Sequence, residues 1–423
     1  MKIFKFGGAS VKDAESVENV ATILRQYEQS KVLVVISAMA KTTNLLENLV
    51  GSYIQKEPQT HVLLEELKTF HFQICSTLFQ NPNHPIFNDL ENLFLELECM
   101  LEKEVGGGIE NYDFVYDQVV SYGELLSTRI LSAYLLLHGI KNKWVDARNF
   151  IFTNSHHREA QINWQETERI IAGKLKPFAE KSMVITQGFI GKDRDNATTT
   201  LGREGSDYSA AVFAYCLDAE SVTIWKDVEG VMNADPKKYP GAVKIDTLSY
   251  NQAIELAYYG ASVIHPKTIQ PLKSKAIPLY VQSFVKPQNP GTAVKEGAAY
   301  NASQTCYIFK ENQCLLTLKS RDFSFIAENN LQQIFSAFVL HKVRINMMQN
   351  SAISFKAVID CDERKMQALL ADLQLTFETR IQKNLRLLSE YNPCQALPAD
   401  LMPNREVVLE QKSERVWMRV FAL

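Results

Sequence analysis

The sequence predicts an α/β protein in two parts: a layered domain with a mostly parallel sheet, and then a smaller ferredoxin-like unit. Apolar strand candidates alternate with helical patterns up to about residue 285, and the order of elements changes to βαββαβ beyond residue 300. The segment KVLVVISAMA (31–40) is a nearly continuous apolar run, which is typical of a parallel strand buried on both faces.

The composition of the 423 residues is that of a soluble globular protein, with 46% hydrophobic and 22% charged residues. A net charge of −3 gives no electrostatic reason to expect nucleic acid or an anionic membrane as a partner. MKIFKFGGAS lacks an apolar signal segment, and no run approaches the roughly 18 apolar residues of a membrane span. We therefore expect a cytoplasmic protein whose seven cysteines are reduced thiols.

The elements of the first part follow from their patterns in chain order. KIFKF (2–6) is predicted as a strand that leads through a glycine turn into a helix over about 13–28, which completes a βαβ unit with the strand at 31–40. Residues from about 42 to 138 are predicted to be mostly helical. Further strands are predicted in KNKWVDA, SMVITQGFIG, ESVTIWKDVEGV and IPLYVQSF, and helices over 163–180, 206–217, 249–259 and 266–275.

The second part begins after VKPQNPGT, which has the composition of a linker. A strand in CLLTLKS, a helix over about 328–341, two strands in VRINMMQNSAISFKAVID, a helix over 362–373 and a strand near TFETRI give the βαββαβ order. That order is common in small regulatory modules. REVVLEQ and RVWMRVFAL are two further strand candidates.

Two segments have the chemistry of an anion site. Residues 202–207 (GREGSD) crowd an arginine and two acids against a predicted helix start, whose N–H groups and partial positive charge suit an anion. Lys5 precedes Gly7 and Gly8, which let the backbone approach an oxyanion. The alternatives are a well-capped helix and an ordinary turn. Ligands of open α/β sheets collect at the carboxyl ends of strands, so we expect these turns to meet there, with those of ITQGFIG and IWKDVEGVMNADP.

Six motifs occur in the order and spacing of aspartate kinases, members of the amino-acid kinase superfamily: KFGGAS, SYGELLSTR, TQGFIG, TTTLGREGSD, WKDVEGVMNADP and YYGASVIHPKT. The resemblance covers residues 1 to about 285, and the C-terminal region resembles the ACT regulatory half in shortened form. It implies a three-layer α/β/α amino-acid kinase fold with a mostly parallel central sheet, plus a ferredoxin-like ACT region. The implied organisation is a catalytic domain over 1–285, a linker over 286–299 and an ACT-like region over 300–423, with one fairly complete ACT unit at about 314–385.

The resemblance implies transfer of the γ-phosphoryl group of ATP, with Mg²⁺, to the β-carboxylate of L-aspartate. The products are 4-phospho-L-aspartate and ADP, and the reaction opens the biosynthesis of lysine, threonine, methionine and diaminopimelate. A homodimer joined through the ACT region is also implied. A carboxylate is already a nucleophile, so catalysis should consist of positioning and neutralisation of charge. Two rivals stay open: an amino-acid sensor that has lost the chemistry, and a kinase for another amino acid such as glutamate.

The resemblance also implies roles for individual residues. Lys5 stabilises charge on the phosphoryl group in flight, and Asp207 organises the lysine and metal side of the site. Glu124 receives the substrate α-ammonium, unless it is a surface residue paired with Arg129. Arg203 grips the α-carboxylate, and the pocket is completed by Thr43 and Ser206. The residues assigned to ATP are Gly7, Gly8, Ser37, Lys226, Asp227 and Lys267, and no protein ligand is assigned to the metal.

Three departures from the family pattern bear on this site. Glu204 stands where the family usually has a second glycine, and we expect its side chain to point outward. Lys226 replaces a commoner threonine, and Ser262 replaces a lysine that many members use on the ATP phosphates. Lys226 and Lys267 are the candidates to supply the missing charge.

Apart from these motifs, the His156-His157 pair lacks metal-ligand spacing and is predicted to lie in a solvated loop.

The C-terminal region departs from lysine-sensitive relatives at the implied effector site. The turn RDFSFIAENN has no glycine, and the positions aligned with acidic residues are Asn346 and Ala352, although Ser351 remains. We therefore expect feedback inhibition by lysine to be weak or absent.

Overall fold

The computed structural model describes residues 1–102, 112–261, 264–298, 304–321, 324–394, 397–398, 401 and 406–423. The chain forms two compact units. The first comprises Met1–Val231, Lys244–Ile254 and Val263–Ala299, and the second comprises Met232–Val243, Glu255–Ser262 and Tyr300–Leu423. Among the described residues, no helix combines the length and the apolar character that a bilayer span requires.

The strands of the described residues are β1 (Lys2–Phe6), β2 (Val32–Ile36), β3 (Asn142–Trp144), β4 (Met183–Gln187), β5 (Ile190–Lys192), β6 (Thr198–Thr200), β7 (Ser221–Lys226), β8 (Thr247–Leu248), β9 (Leu279–Ser283), β10 (Thr292–Val294), β11 (Cys306–Ser320), β12 (Ile345–Asn350), β13 (Ser354–Asp360), β14 (Phe377–Tyr391), β15 (Val407–Lys412) and β16 (Val416–Ala422).

The α-helices of the same residues are α1 (Ala14–Arg25), α2 (Thr42–Ile54), α3 (Gln59–Leu78), α4 (Pro85–Leu101), α5 (Tyr112–Val120), α6 (Tyr122–Leu137), α7 (Trp164–Ile170), α8 (Lys176–Ala179), α9 (Gly205–Leu217), α10 (Tyr250–Tyr259), α11 (Pro266–Ser274), α12 (Glu328–Leu340) and α13 (Glu363–Leu373).

The first unit is built on an eight-stranded sheet in the order β3-β4-β2-β1-β7-β9-β10-β8. Neighbouring strands are parallel except for β9 and β10. All five residues of β2 are buried, as its apolar run predicts. The central strand β1 lies between β2 and β7, and Phe6 stacks on Trp225 with ring centroids 5.6 Å apart. The mostly parallel α/β architecture is therefore confirmed.

The second unit contains a six-stranded antiparallel sheet in the order β12-β13-β11-β14-β16-β15. Its first elements follow the predicted βαββαβ order, and the two last strands extend the same sheet. β11 and β14 are longer than the segments predicted from sequence, because they pair with each other from Cys306 opposite Tyr391 to Ser320 opposite Phe377.

One sequence expectation about the second unit is wrong. Cys314, on β11, and Cys361, directly after β13, form a disulfide, so the seven cysteines are not all reduced thiols. The two strands are antiparallel neighbours, and Cys314 is opposite Ile359, which brings a cysteine two positions further along within reach. Spacing along the sequence could not show this proximity, because 47 residues separate the two cysteines.

Candidate active site

The end of β1 and the start of α9 bring a lysine and an aspartate together inside the first unit. Lys5 Nζ lies 2.6 Å from Asp207 Oδ1, and the Asp207 side chain has no exposed surface. Asp207 lies in the first turn of α9, where the helix dipole favours a carboxylate. Burial opposes ionisation of Asp207, but the charges of Lys5 and Lys226 outweigh it and lower the pKa. The pair is therefore an ion pair at neutral pH.

A second lysine and a second carboxyl group surround this pair. Lys226, at the end of β7, has its Nζ 4.0 Å from Asp207 Oδ2. Glu204 is the N-cap residue of α9, and burial of its carboxyl group together with the charge of Asp207 raises its pKa, although much of the residue is exposed. The charges of Lys226 and Lys5 act in the opposite direction on Glu204. Two cations and two carboxyl groups thus share one small volume.

Glu124 is a third carboxyl group of the site. It lies in the first turn of α6, is 3% exposed, and accepts a hydrogen bond from the Ala38 N–H at 3.2 Å. Its other carboxylate oxygen, Oε2, has no hydrogen-bond partner among the described residues. Burial raises the pKa of Glu124 to about 8, against the opposing effects of the Ala38 N–H and the Lys5 charge. A buried carboxyl oxygen without a partner is costly, which points to a ligand donor.

Glycines allow the strand-end turns to approach one another. A Cβ atom on Gly8 would lie 2.8 Å from the Ala38 carbonyl oxygen and 2.9 Å from that of Ala40. A Cβ atom on Gly188 would lie 2.7 Å from Ser206 Cα, at the start of α9. Side chains at these two positions would separate the turns. The turns of KFGGAS, SAMA, TQGFIG and GREGSD therefore lie together at the carboxyl edge of the sheet, as expected for a ligand site.

The model of the amino acid kinase family matches residues 1–283 of this sequence. The chain belongs to the amino acid kinase family. The site described above lies within the matched residues. Its lysines, glycines and helix N-terminus form an anion-binding arrangement of the kind that suits phosphates.

Two curated relatives and one solved structure show the similarity in more detail. The chain is 31% identical over 395 residues to lysine-sensitive aspartokinase 3 of Escherichia coli (strain K12), covering 92% of this chain and 86% of that protein. It is 33% identical over 294 residues to a chloroplastic bifunctional aspartokinase/homoserine dehydrogenase 1 of Zea mays, covering 69% of this chain and 32% of that protein. The chain therefore spans about a third of the length of the bifunctional relative.

The solved structure is E. coli aspartokinase III in complex with aspartate and ADP. It matches with a TM-score of 0.84 and 28% sequence identity, and the match covers 100% of this chain and 96% of that chain. The amino-acid kinase fold expected from the sequence motifs is thus confirmed.

The other residues assigned from sequence differ in burial from the charged cluster, by which we mean Lys5, Lys226, Asp207 and Glu204. Ser206 is buried at the start of α9, and Ser37 and Thr43 are half-buried at the end of β2 and the start of α2. Arg203 and Asp227 are exposed. In the sequence, Arg203 directly precedes Glu204 and Asp227 directly follows Lys226. Arg129 stacks on Trp144 at 3.6 Å. Since Glu124 is buried, the alternative of a surface Glu124–Arg129 pair is wrong.

Lys267 and Ser262 need separate description. Lys267 is exposed at the start of α11, where it lines a pocket of about 330 Å³ together with Trp164, Tyr208 and Tyr215. The residues that line this pocket do not include Lys5, Asp207 or Lys226. The Ser262 position, which departs from the family pattern, lies outside the described residues.

The structure bears on two expectations about side chains. Glu204 is exposed, as expected, although burial of its carboxyl group and the charge of Asp207 raise its pKa. His156 and His157 lie in a loop and His156 is exposed, as expected, but His157 is not solvated, since its Nδ1 is 2.9 Å from Oδ2 of the fully buried Asp117. Sequence reasoning missed Asp117 as well. The signal available was its place seven residues before Glu124 in the helical run that carries the GELLSTR motif.

Glu204 adopts a left-handed backbone conformation with φ 56°, which strains a residue that has a Cβ atom. We expect Glu204→Gly to stabilise the protein by about 1 kcal/mol through relief of this strain. The gain should be larger at pH 8 than at pH 5. Because the pKa of Glu204 is raised in the folded protein, the wild type loses stability as the pH rises through that folded-state pKa. Glu204→Gly has no carboxyl group at this position, so it does not lose this stability.

Denaturant unfolding at the two pH values measures both effects. Lys56→Gly is the matched control, since Lys56 is exposed and has φ 54° but lies after α2. It should stabilise equally at both pH values. An identical gain for Glu204→Gly at pH 5 and pH 8 would show that the Glu204 carboxyl is not coupled to the cluster.

Proposed function

We propose that this protein is an aspartate kinase, which transfers the γ-phosphoryl group of ATP to the β-carboxylate of L-aspartate and releases 4-phospho-L-aspartate and ADP. The observation that carries the proposal is the buried Oε2 of Glu124, which has no hydrogen-bond partner among the described residues and lies in the field of Lys5. A substrate ammonium group would satisfy this oxygen while an anionic group of the same substrate faces the lysine. Relatives named aspartokinase support the same reaction.

The substrate is held by its two α-groups in this proposal. Glu124 binds the α-ammonium, and Arg203 binds the α-carboxylate in a charge-assisted pair worth about 1.5–3 kcal/mol. Thr43 and Ser206 complete the pocket. Hydrophobic fit alone separates aspartate from glutamate, one methylene longer, by only about 1–3 kcal/mol. Clamping both α-groups determines where the side-chain carboxylate lies and favours aspartate over glutamate.

The phosphoryl step needs no general base, because the attacking β-carboxylate is already ionised. Lys5, held by Asp207 at 2.6 Å, donates to the transferring phosphoryl group and stabilises the charge that develops on it. The backbone N–H groups near Gly7 and Gly8 and the Ser37 hydroxyl bind the phosphates, and Lys226 adds a second positive charge. Asp227 and Lys267 remain proposed contacts of the nucleotide.

Mg²⁺ fits this donor set as the partner of ATP rather than as an ion held by the protein alone. Among the described residues, no group of three or more His, Cys, Asp or Glu side chains could hold a metal ion. Mg²⁺ in kinases is commonly bound by one or two carboxylates together with substrate phosphates. Asp207 and Glu204 could supply those carboxyl groups, and the ion would neutralise phosphate charge during transfer.

The proposal extends to the cellular role and the assembly. We place the reaction at the first step of lysine, threonine and methionine (diaminopimelate) biosynthesis, in the cytoplasm. We also propose a homodimer formed through the ACT-like region over 300–423, which follows the catalytic region over 1–285 and the linker over 286–299. Support comes from β12, an edge strand of the second unit on which Met348 is 49% exposed.

The decisive test is turnover of ATP with L-aspartate, trapped as the hydroxamate of the acyl phosphate. Turnover with aspartate and much less with glutamate is expected. A folded protein that binds aspartate without turnover would instead be an amino-acid sensor, and preferential turnover of glutamate would assign a different substrate.

Lys5→Ala should lower kcat by about 100- to 1000-fold, because one missing electrostatic donor to the transition state typically has that effect. The KM for aspartate should change much less. Steady-state kinetics measure both values. Lys2→Ala is the control on the same strand, since Lys2 lies at the opposite end of β1, and its kcat should equal that of the wild type. Near-normal kcat in folded Lys5→Ala would remove the lysine from the mechanism.

Aspartate binding should strengthen as pH rises towards 8. The pKa of Glu124 is about 8 without substrate, and the carboxyl must lose its proton to receive an ammonium group. Below that pH the KM for aspartate should rise by about tenfold per unit of pH. Glu124→Gln should bind aspartate more weakly and show a flat profile between pH 6 and 8. A wild-type KM that does not change over this range would contradict the role of Glu124.

Lysine should inhibit weakly or not at all. In the second unit, Asn346 Nδ2 donates to Gln313 and Asp360, and Lys310 Nζ donates to Asn346 Oδ1 at 2.6 Å. Asn346 is thus committed to internal bonds and carries no negative charge, and the neighbouring carboxylate of Asp360 already accepts hydrogen bonds from Asn346 and Gln313. An effector ammonium would have to be buried without a carboxylate of its own, which carries a large desolvation cost. Activity assays with lysine, threonine and both at sub-saturating aspartate measure this. Strong inhibition by sub-millimolar lysine would refute the expectation.

A further inference from the structure

Asp117 is a buried carboxylate outside the charged cluster. It lies near the end of α5, and its side chain has no exposed surface. It accepts hydrogen bonds from the Thr200 Oγ1 at 2.6 Å, the Thr200 N–H at 3.0 Å and the Arg158 N–H at 3.1 Å. In addition, His157 Nδ1 lies 2.9 Å from Asp117 Oδ2. Burial of a carboxylate costs free energy, and these donors, which offset the cost, join three separate segments of the chain.

The segments joined by Asp117 are those that lead into the proposed substrate clamp. Asp117 precedes Glu124 by seven residues, across the junction of α5 and α6. Thr200 ends β6 and precedes Arg203 by three residues. Asp117 is thus close along the chain to Glu124, and it binds Thr200, which is close along the chain to Arg203.

Gln118, the residue after Asp117, makes a further connection between α5 and β6. Gln118 pairs with the backbone of Thr198, accepting from its N–H at 3.1 Å and donating to its carbonyl at 2.8 Å. The end of α5 therefore makes hydrogen bonds to one side of β6, as a neighbouring strand would. Asp117 binds Thr200, the last residue of β6, after which the chain enters the loop that carries Arg203.

We propose that Asp117 is a positioning residue that sets the distance between Glu124 and Arg203, and so the selectivity for the substrate α-groups. The inference rests on the proposed function. Asp117→Asn keeps the size of the side chain but presents N–H donors to the donors of Thr200 and Arg158, which would release the end of β6. Displacement of a clamp residue by about 1 Å can change catalytic efficiency by roughly 100-fold.

The test compares Asp117→Asn with Asp193→Asn. Asp193 is also buried and accepts backbone N–H groups, from Asp195 and Ala197, but it lies at the other end of the β5–β6 hairpin. Asp117→Asn should raise the KM for aspartate by about 10- to 100-fold, with the KM for ATP within about twofold and a smaller preference for aspartate over glutamate. Asp193→Asn should leave these values near those of the wild type.

Thr200→Val provides a milder change that preserves folding, with Thr199→Val as its control. Thr200→Val removes only the hydroxyl donor to Asp117, whereas Thr199 Oγ1 bonds to Thr153 Oγ1 instead. Thr200→Val should raise the KM for aspartate a few-fold, and Thr199→Val should not. Amide hydrogen exchange over residues 200–207 of the ligand-free protein should be faster in Asp117→Asn than in Asp193→Asn.

The outcomes separate the inference from the proposed function. A wild-type protein without turnover on aspartate overturns the function. With an active wild type, an unchanged KM for aspartate in Asp117→Asn and Thr200→Val overturns the positioning role. Equal effects of Asp117→Asn and Asp193→Asn overturn it too, since they would show a general loss of hairpin stability. Unchanged hydrogen exchange over 200–207 in Asp117→Asn also overturns it.

Discussion

The ion pair between Lys5 and Asp207 is the constraint on which the rest of the catalytic site depends. It joins the end of the central strand β1 to the first turn of α9, at a depth where Asp207 has no exposed surface. A buried carboxylate is tolerable only when it is paired, and here the helix N-terminus and two lysines compensate its charge. The neighbouring glycines follow from this requirement, because the turns must approach closely for the pair to form.

Charge balance relates two further residues of the site. Glu204 adds a carboxyl group beside Asp207, and Lys226 adds a cation to the same cluster. Removal of either residue alone would alter the charge around Lys5, whereas together they leave it balanced. The left-handed backbone at Glu204 is a conformation for which a glycine is better suited.

Hydrogen bonding to Asp117 is a second constraint, of a different kind. It orders the backbone of the loop before α9 rather than supplying charge to a ligand. His157 shows why sequence reasoning misjudged burial within a correctly predicted loop. A polar stretch predicts a solvated loop, but a single buried carboxylate contributed by a distant helix withdraws His157 from solvent.

The sequence by itself determined the parallel α/β core, the βαββαβ order of the second unit, and Lys5 and Asp207 as candidate site residues. These follow from local properties: apolar runs, glycine turns, and polar residues at the ends of strands or the start of a helix. Glu124 became a candidate only through the resemblance of its motif to aspartate kinases. Only the tertiary structure decided the charges that act on the Glu204 carboxyl, the partners of Asp117 and the Cys314–Cys361 disulfide. Each of these depends on which segments meet in space, and on the electrostatic field that they create together, which no local pattern in the chain specifies.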